Sequence, residues 1–166
     1  MAKQLFSAKD VRETGLLSIL EQISSSRSTN TRKMAAGFMI SFTAKNAFVL
    51  REDNQLKKSW LTILLKLLSD EHLTVRLFAQ KAMLYVWQLV LSGKTETRQA
   101  LIEEFKEIFK RKNPSPEIRE KHGAILGLCA LVEATPDSVP NYLPSLLLYL
   151  RGWIAEPEPV SVLFKF

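Results

Sequence analysis

The chain has one cysteine, Cys129, and two histidines, His72 and His122, among its 166 residues. A single cysteine cannot form an internal disulfide, and its position in an apolar run favours a reducing intracellular compartment. The three residues are also too few and too widely spaced to form a zinc site. We therefore expect neither a metal nor any other cofactor.

Long uncharged hydrophobic runs are also missing. Arg51, Lys57, Lys58 and Lys66 interrupt the candidate stretches, so none reaches the roughly 18 apolar residues that a membrane span requires. Charged side chains between positions 9 and 13 likewise leave no secretory hydrophobic segment near the first residue. We expect no membrane partner.

The glycines are scattered and never form a phosphate-binding loop. Gly123 and Gly127 lie four residues apart in an apolar run, where close helix packing explains them. The only arrangement that suggests a nucleophile is His122 with Cys129, which share a helix face. Because cysteine is usually buried and Leu126 lies between the two, we interpret the pair as packing. We predict that the chain is not an enzyme and assign no catalytic, metal, cofactor-binding or other binding residue.

The net charge of +6 raises the question of nucleic-acid binding. The densest basic cluster ends a predicted helix and consists of Lys106, Lys110, Arg111 and Lys112. Cations at a helix C-terminus complement the helix dipole, and glutamates precede them on the same helix. No interleaved aromatic residues or reader motif accompany the cluster, so we expect no direct nucleic-acid binding.

An internal repeat is the strongest positive signal. Arg32, Arg76 and Arg119 lie 44 and 43 residues apart, and each opens a helix-long apolar pattern. This spacing falls within the roughly 40 to 47 residue period of HEAT and armadillo repeats. The sixth, seventh and tenth positions after each arginine form one apolar helix face: Phe38, Met39 and Phe42; Ala82, Met83 and Val86; Ile125, Leu126 and Cys129. The repeat predicts an all-α, HEAT/armadillo-like α-solenoid of three helix pairs plus one N-terminal helix.

We predict a single repeat domain over residues 1–166, with repeats at about 31–69, 71–112 and 116–155. One amphipathic helix over 9–24 precedes them, and 160–166 form an incomplete tail, so we expect a fragment of a longer solenoid. Ser92-Gly93 should end one helix, and Ser115-Pro116 should begin another. About seven helices should bury a common set of side chains between layers: Trp60, Leu64, Met83, Trp87, Phe105, Leu126 and Leu147.

The three repeat arginines allow two interpretations. Stacked repeats place equivalent residues in a row, so the arginines could form a ligand-binding ladder. We favour a structural role in which they bind acidic residues or carbonyls near the helix turns, with Asp70 and Glu117 as partners.

Two runs carry a resemblance to a known family. They are residues 68–76, from Leu68 to Arg76, and residues 121–128, followed by the proline-containing stretch 136–144. From about Arg32 to Pro159 the chain resembles the C-terminal HEAT-like region of the large proteasome activator, subunit four of the activator complex. The resemblance implies a non-proteolytic α-solenoid that caps the proteasome core particle and opens its gate without ATP. It also implies a nuclear and cytoplasmic location and roles in ubiquitin-independent proteolysis and DNA repair.

The resemblance further implies three kinds of binding site. The family docks through a tail with a penultimate tyrosine, whereas this sequence ends Phe164-Lys165-Phe166, so we expect the docking residues not to carry over. An acetyl-histone site would need an asparagine beside an aromatic residue, and Asn46 near Phe48 is the available substitute. Inositol phosphates on a basic inner surface would fit the ladder interpretation of the arginines.

We therefore predict a fragment of a proteasome-activator-type scaffold that binds and regulates the proteasome core particle. The alternative is an unrelated HEAT-repeat adaptor for protein–protein interaction, which would share only the physics of repeats. The sequence run from 122 to 159 discriminates, since repeat physics alone does not require it.

Overall fold

A computed structural model describes residues 7–110, 118–135 and 140–151. Across these ranges the regular elements are helices and no strand is found, which confirms the all-α prediction. The helices are α1 (Ala8–Glu13), α2 (Leu16–Ser24), α3 (Thr29–Glu52), α4 (Asn54–Leu68), α5 (Leu73–Tyr85), α6 (Thr95–Lys110), α7 (Ile118–Glu133) and α8 (Leu143–Arg151). A π-helical turn, Val86–Val90, continues α5.

The helix predicted over 9–24 is two helices, so the expectation of one N-terminal helix was wrong. Gly15 separates α1 from α2 and has a φ of 65°, in the left-handed region that side chains other than glycine rarely adopt. The apolar periodicity continues on both sides of this break, which is why the sequence pattern predicts a single helix. The described ranges therefore hold eight helices where about seven were expected.

Stacking of the first helices of successive pairs sets the architecture. Helix α3 packs on α5, and α5 packs on α7, while α4 lies against both α5 and α7. At the N-terminal end, α2 contacts α3 and α4. The result is the solenoid-like stack that the repeat spacing predicts.

Local signals in the sequence set the helix ends. The Ser28 hydroxyl caps α3 by accepting the Thr31 N–H at 3.4 Å. Asp53 ends α3 and caps α4, because its carboxylate accepts the N–H groups of Gln55 and Leu56, each at 3.0 Å. Gly93, with a φ of 72°, follows the π turn and confirms the predicted stop. The predicted start at Ser115-Pro116 lies outside the described residues.

The core runs continuously from Val11 in α1 to Leu150 in α8. Six of the seven side chains predicted to be buried are at most 2% exposed: Trp60, Leu64, Met83, Trp87, Phe105 and Leu126. The prediction for Leu147 was wrong, since it is 49% exposed. Leu146 and Leu150, four residues apart on one face of α8, fill the core there instead.

A close approach between helices joins the second and third pairs. The Trp87 indole Nε1 donates to the Gly127 carbonyl at 3.1 Å, and both residues are buried. A Cβ added to Gly127 would overlap the Phe105 ring, so only glycine lets α7 come this near α6. In the π turn, the Trp87 carbonyl accepts from Arg98 Nη2 at 2.6 Å.

Replacing Gly127 with alanine should therefore force α6 and α7 apart. We expect Gly127→Ala to lower the free energy of unfolding by about 1–3 kcal/mol, measured by urea denaturation. Gly37→Ala is the matched control, because its added Cβ would meet the Phe78 ring at an ordinary 3.9 Å. The control should be neutral or stabilising by up to about 1 kcal/mol, since alanine favours the helix. Equal stability of Gly127→Ala and the parent chain would contradict the close approach.

Candidate functional site

Arg32, at the start of α3, is only 6% exposed and uses every donor it has. Its Nε and Nη2 hold the Asp70 carboxylate at 2.6 and 3.0 Å, and Nη2 also donates to Glu71 at 2.8 Å. Its Nη1 donates to the carbonyls of Ser26 at 2.8 Å and Arg27 at 3.1 Å. Because a guanidinium has five N–H donors, Arg32 retains none for a ligand.

Arg76 occupies the equivalent position in α5 and repeats the two Nη1 contacts of Arg32. Its Nη1 donates to the carbonyls of Asp70 at 2.6 Å and Glu71 at 3.4 Å. These carbonyls precede Arg76 by six and five residues, the same offsets that separate Ser26 and Arg27 from Arg32. The repeat thus extends to individual hydrogen bonds. The predicted structural role is confirmed for both arginines.

Asp70 connects the two arginines, since its carboxylate binds Arg32 and its carbonyl binds Arg76. The same carboxylate accepts the His72 N–H at 2.9 Å, and its side chain is 7% exposed. Burial alone would raise its pKa, but the bonds from Arg32 and His72 outweigh burial and hold the pKa of Asp70 below its usual value. We call this set of contacts among Arg32, Asp70 and Arg76 the junction clasp.

Arg119 differs from the other two arginines because it is exposed, at the start of α7. Burial lowers the pKa of Arg76, Asp70 opposes that effect, and the positive charge of Arg119 adds to it. The predicted partner Glu117 lies outside the described residues. Because Arg32 and Arg76 are buried, the three arginines do not form a ladder of exposed guanidinium groups.

Arg119 lines a cleft of about 420 Å³ between the α2–α3 turn and the C-terminal end of α4. Four cations border this cleft, Arg27, Arg32, Lys66 and Arg119, together with the carboxylates of Asp70 and Glu71. Both carboxylates bind Arg32, and neither pairs with Arg27 or Lys66. An anion is the ligand that these two cations would attract.

The sequence does not reveal the cleft, because its walls are far apart in the chain. Lys66 lies 41 residues from Ser25, yet its Nζ donates to the Ser25 hydroxyl at 2.5 Å. In the sequence, Ser24-Ser25-Ser26 indicate only the end of the helix predicted over 9–24. Packing of α2 against α4 brings the serines and the lysine together.

His122 and Cys129 do not form an activated pair. His122 is 1% exposed, and burial together with the charge of Arg76 lowers its pKa to about 4. Burial, reinforced by Glu133, raises the pKa of Cys129 to about 11. At neutral pH the thiol is protonated, whereas a nucleophilic cysteine needs its thiolate. These environments support the packing interpretation.

The other candidate residues are also occupied within the fold. The Asn46 amide is buried and donates to the Phe42 carbonyl at 3.3 Å, so that donor is not presented at the surface near Phe48. In the basic cluster, Lys106 pairs with Glu103 at 2.9 Å. The side chains of Lys110, Arg111 and Lys112 are not among those described.

Among residues 7–110, 118–135 and 140–151, no three histidine, cysteine or acidic side chains gather in a metal-binding arrangement. None of the helices in these ranges combines the length and apolarity needed to cross a membrane.

Known proteins resemble this chain in sequence. Residues 118–165 match the family model described as "Proteasome activator complex subunit 4-like, C-terminal". "Proteasome activator complex subunit 4" of Homo sapiens is 26% identical over 162 residues, which cover 90% of this chain and 9% of that protein. "Proteasome activator complex subunit 4A" of Danio rerio is 27% identical over the same shares. "Proteasome activator subunit 4" of Arabidopsis thaliana is 28% identical over 139 residues, 78% of this chain and 7% of that protein. These matches confirm the resemblance found in the sequence.

The junction clasp predicts unequal effects for two neighbouring carboxylates that share Arg32. Asp70→Asn should lower the free energy of unfolding by about 3 kcal/mol, because it leaves a buried guanidinium without its main counterion. Glu71→Gln is the matched control, since the Glu71 side chain is 60% exposed. The control should change stability by less than about 0.5 kcal/mol. Urea denaturation at pH 7 measures both, and equal effects would contradict the clasp.

The buried His122 predicts a loss of stability in mild acid. Its folded pKa of about 4 lies below the ordinary value of 6.5, so the unfolded chain binds more protons between these pH values. Stability should fall by up to about 3 kcal/mol as the pH drops through this window. The contribution of Asp70, whose pKa is also lowered, should be lost only as the pH falls below 3.8.

Denaturation of His122→Leu across the same pH range tests the assignment. The variant should lose clearly less stability between pH 6.5 and pH 4 than the parent chain. His72→Leu serves as the control, because the His72 side chain is 53% exposed. An unchanged slope in His122→Leu would show that another group is responsible.

Proposed function

We propose that this chain, which is related to the proteasome activators named subunit 4, is a stacked-helix scaffold that helps bind and regulate the proteasome core particle. The observation that carries the proposal is the match of such relatives to 90% of the chain. The chain spans about 9% of the length of these relatives. We propose that it performs one part of their activity and not the whole of it.

The fold supports a scaffold role on physical grounds. A scaffold must hold its surface in a fixed shape, and the junction clasp fixes α3 relative to α5 through bonds to Asp70. The stacked first helices also expose apolar side chains, including Met34 and Phe38 on α3 and Leu77 on α5. Side chains of this kind supply contact area for a protein partner. We further propose that the chain is not an enzyme, which agrees with the protonated thiol of Cys129.

A chimera tests this proposal directly. The matching segment of the human relative would be replaced by this chain, and peptide hydrolysis by purified core particle would be measured with the chimera present. We expect stimulation close to that of the intact relative. A chimera that folds, as shown by circular dichroism and gel filtration, but does not stimulate hydrolysis would contradict the proposal.

Two controls sharpen the chimera experiment. The same chimera carrying Asp70→Asn should stimulate less, because the clasp that orients the helix pairs is broken, whereas Glu71→Gln should not matter. The isolated chain, at about 9% of the relative's length, should not stimulate hydrolysis by itself. Stimulation by the isolated chain would contradict the assignment of a partial, architectural role.

The resemblance also motivates narrower proposals. Inositol-phosphate binding has support from the positive cleft beside Arg119, and titration calorimetry with inositol hexakisphosphate would test it. Binding of acetylated histones, a nuclear and cytoplasmic location, and roles in ubiquitin-independent proteolysis and DNA repair rest on the resemblance alone. Absence of heat on titration with inositol hexakisphosphate or with an acetylated histone peptide would contradict the respective binding proposal.

A further inference from the structure

The turn between α2 and α3 presents a serine hydroxyl to a fixed ammonium group. Ser25 is exposed, and its hydroxyl accepts from Lys66 Nζ at 2.5 Å and donates to the Glu21 carbonyl at 2.7 Å. Among the described residues, Lys66 forms no ion pair with a carboxylate. The partner of this ammonium is thus a neutral oxygen that can be modified.

The surroundings of Ser25 favour negative charge. Arg27 is exposed two residues further along, and Arg119 of α7 lines the same cleft. The two carboxylates of the cleft both contact Arg32, and neither pairs with Lys66 or Arg27. The carbonyls at the C-terminal end of α2 destabilise a negative charge at Ser25. The amides at the N-terminal end of α3, which begins four residues later, stabilise it.

The neighbouring serines are less suitable for modification. Ser24 is 2% exposed and donates to the Glu21 carbonyl at 2.8 Å. The Ser26 hydroxyl accepts the Ser28 N–H at 3.2 Å and is only half-exposed. A group attached to the Ser25 hydroxyl would leave the hydrogen bonds of Ser24 and Ser26 in place. The Glu21 carbonyl would lose its bond from Ser25 but keep its bond from Ser24. Ser25 is therefore the serine of this turn that can be modified without unmaking the turn.

We propose that Ser25 is a phosphorylation site and that Lys66 and Arg27 hold its phosphate in the cleft, tying the end of α2 to α4. In the transfer, a bond forms between Ser25 Oγ and the γ-phosphorus of ATP, and the bond from that phosphorus to the bridging oxygen of ADP breaks. The hydroxyl proton passes to the carboxylate base of the protein kinase, and ADP leaves. Arg27 lies two positions after the acceptor serine. An acidic surface of the kinase can recognise its positive charge.

The phosphate should bind more strongly than the hydroxyl it replaces. It adds a charge of about −1.5 to −2 and three acceptor oxygens at neutral pH. The Lys66 ammonium already lies at hydrogen-bond distance, so little further ordering of its side chain is needed. Hydrogen bonds between two ionised groups are stronger than the existing bond to a neutral hydroxyl.

Chains carrying phosphoserine at a chosen position, made by codon reassignment, test the binding step. Ser18 is the matched control, because it is an exposed serine on α2, the helix that Ser25 follows. Phosphorus NMR should give phosphoserine 25 a second pKa lower than that of phosphoserine 18 by about 0.5 to 1, since nearby cations favour the dianion. The thermal midpoint should rise by about 2–4 °C at position 25 only, and less in 1 M salt.

Lys66→Gln in the phosphorylated chain should remove much of the pKa difference, and because Lys66 is exposed we expect the variant to fold. Equal pKa values at positions 18 and 25, or a value at 25 that Lys66→Gln leaves unchanged, would overturn the proposed phosphate site.

The modification step has its own test. The intact chain would be incubated with ATP and a cell extract, and its peptides would be analysed by mass spectrometry. We expect phosphate on Ser25 and its loss in Ser25→Ala or when Arg27→Gln removes the recognition charge. Incorporation confined to other residues would overturn the assignment of Ser25 as the acceptor. Neither result depends on binding to the proteasome.

Discussion

A buried guanidinium destabilises a protein by several kcal/mol unless a carboxylate and hydrogen-bond acceptors surround it. Arg32 meets this condition through Asp70, which lies in the loop between α4 and α5 that joins one helix pair to the next. The carbonyl of the same aspartate accepts from Arg76, so one residue fixes the first helices of two successive pairs. The requirement to satisfy Arg32 therefore sets how α3 and α5 are placed, and the cleft and the stacked surface follow from that placement.

The layers beyond the clasp depend on it through packing. Helix α5 bears Arg76 near its start, and the π turn that continues it bears Trp87, whose indole reaches the Gly127 carbonyl in α7. His122, in the same helix as Gly127, is buried and kept neutral partly by the charge of Arg76. Polar contacts thus connect three successive first helices. A stack held in this way suits the proposed scaffold role, because a partner would meet a surface of fixed shape.

The sequence predicted the features that repeat or that lie close together in the chain. The arginine period, the left-handed Gly93 and six of the seven core positions follow from local patterns. The exposure of Leu147 could not be predicted, because three consecutive leucines, 146–148, do not show which face of α8 is buried. The break at Gly15 could not be predicted either, because apolar residues continue across it. Asp70 could be named as a partner of the arginines, but the cleft beside Lys66 could not, since packing between α2 and α4 creates it.

Coupling between Arg32 and Asp70 is the central claim, and a double-mutant cycle measures it most directly. Stability would be determined for Arg32→Met, Asp70→Asn and the double variant, with Glu71→Gln replacing Asp70→Asn in a parallel cycle. The account predicts an interaction energy of about 2–3 kcal/mol for Arg32 with Asp70, and less than about 1 kcal/mol for Arg32 with Glu71. Additive effects of Arg32→Met and Asp70→Asn would contradict a clasp between the helix pairs.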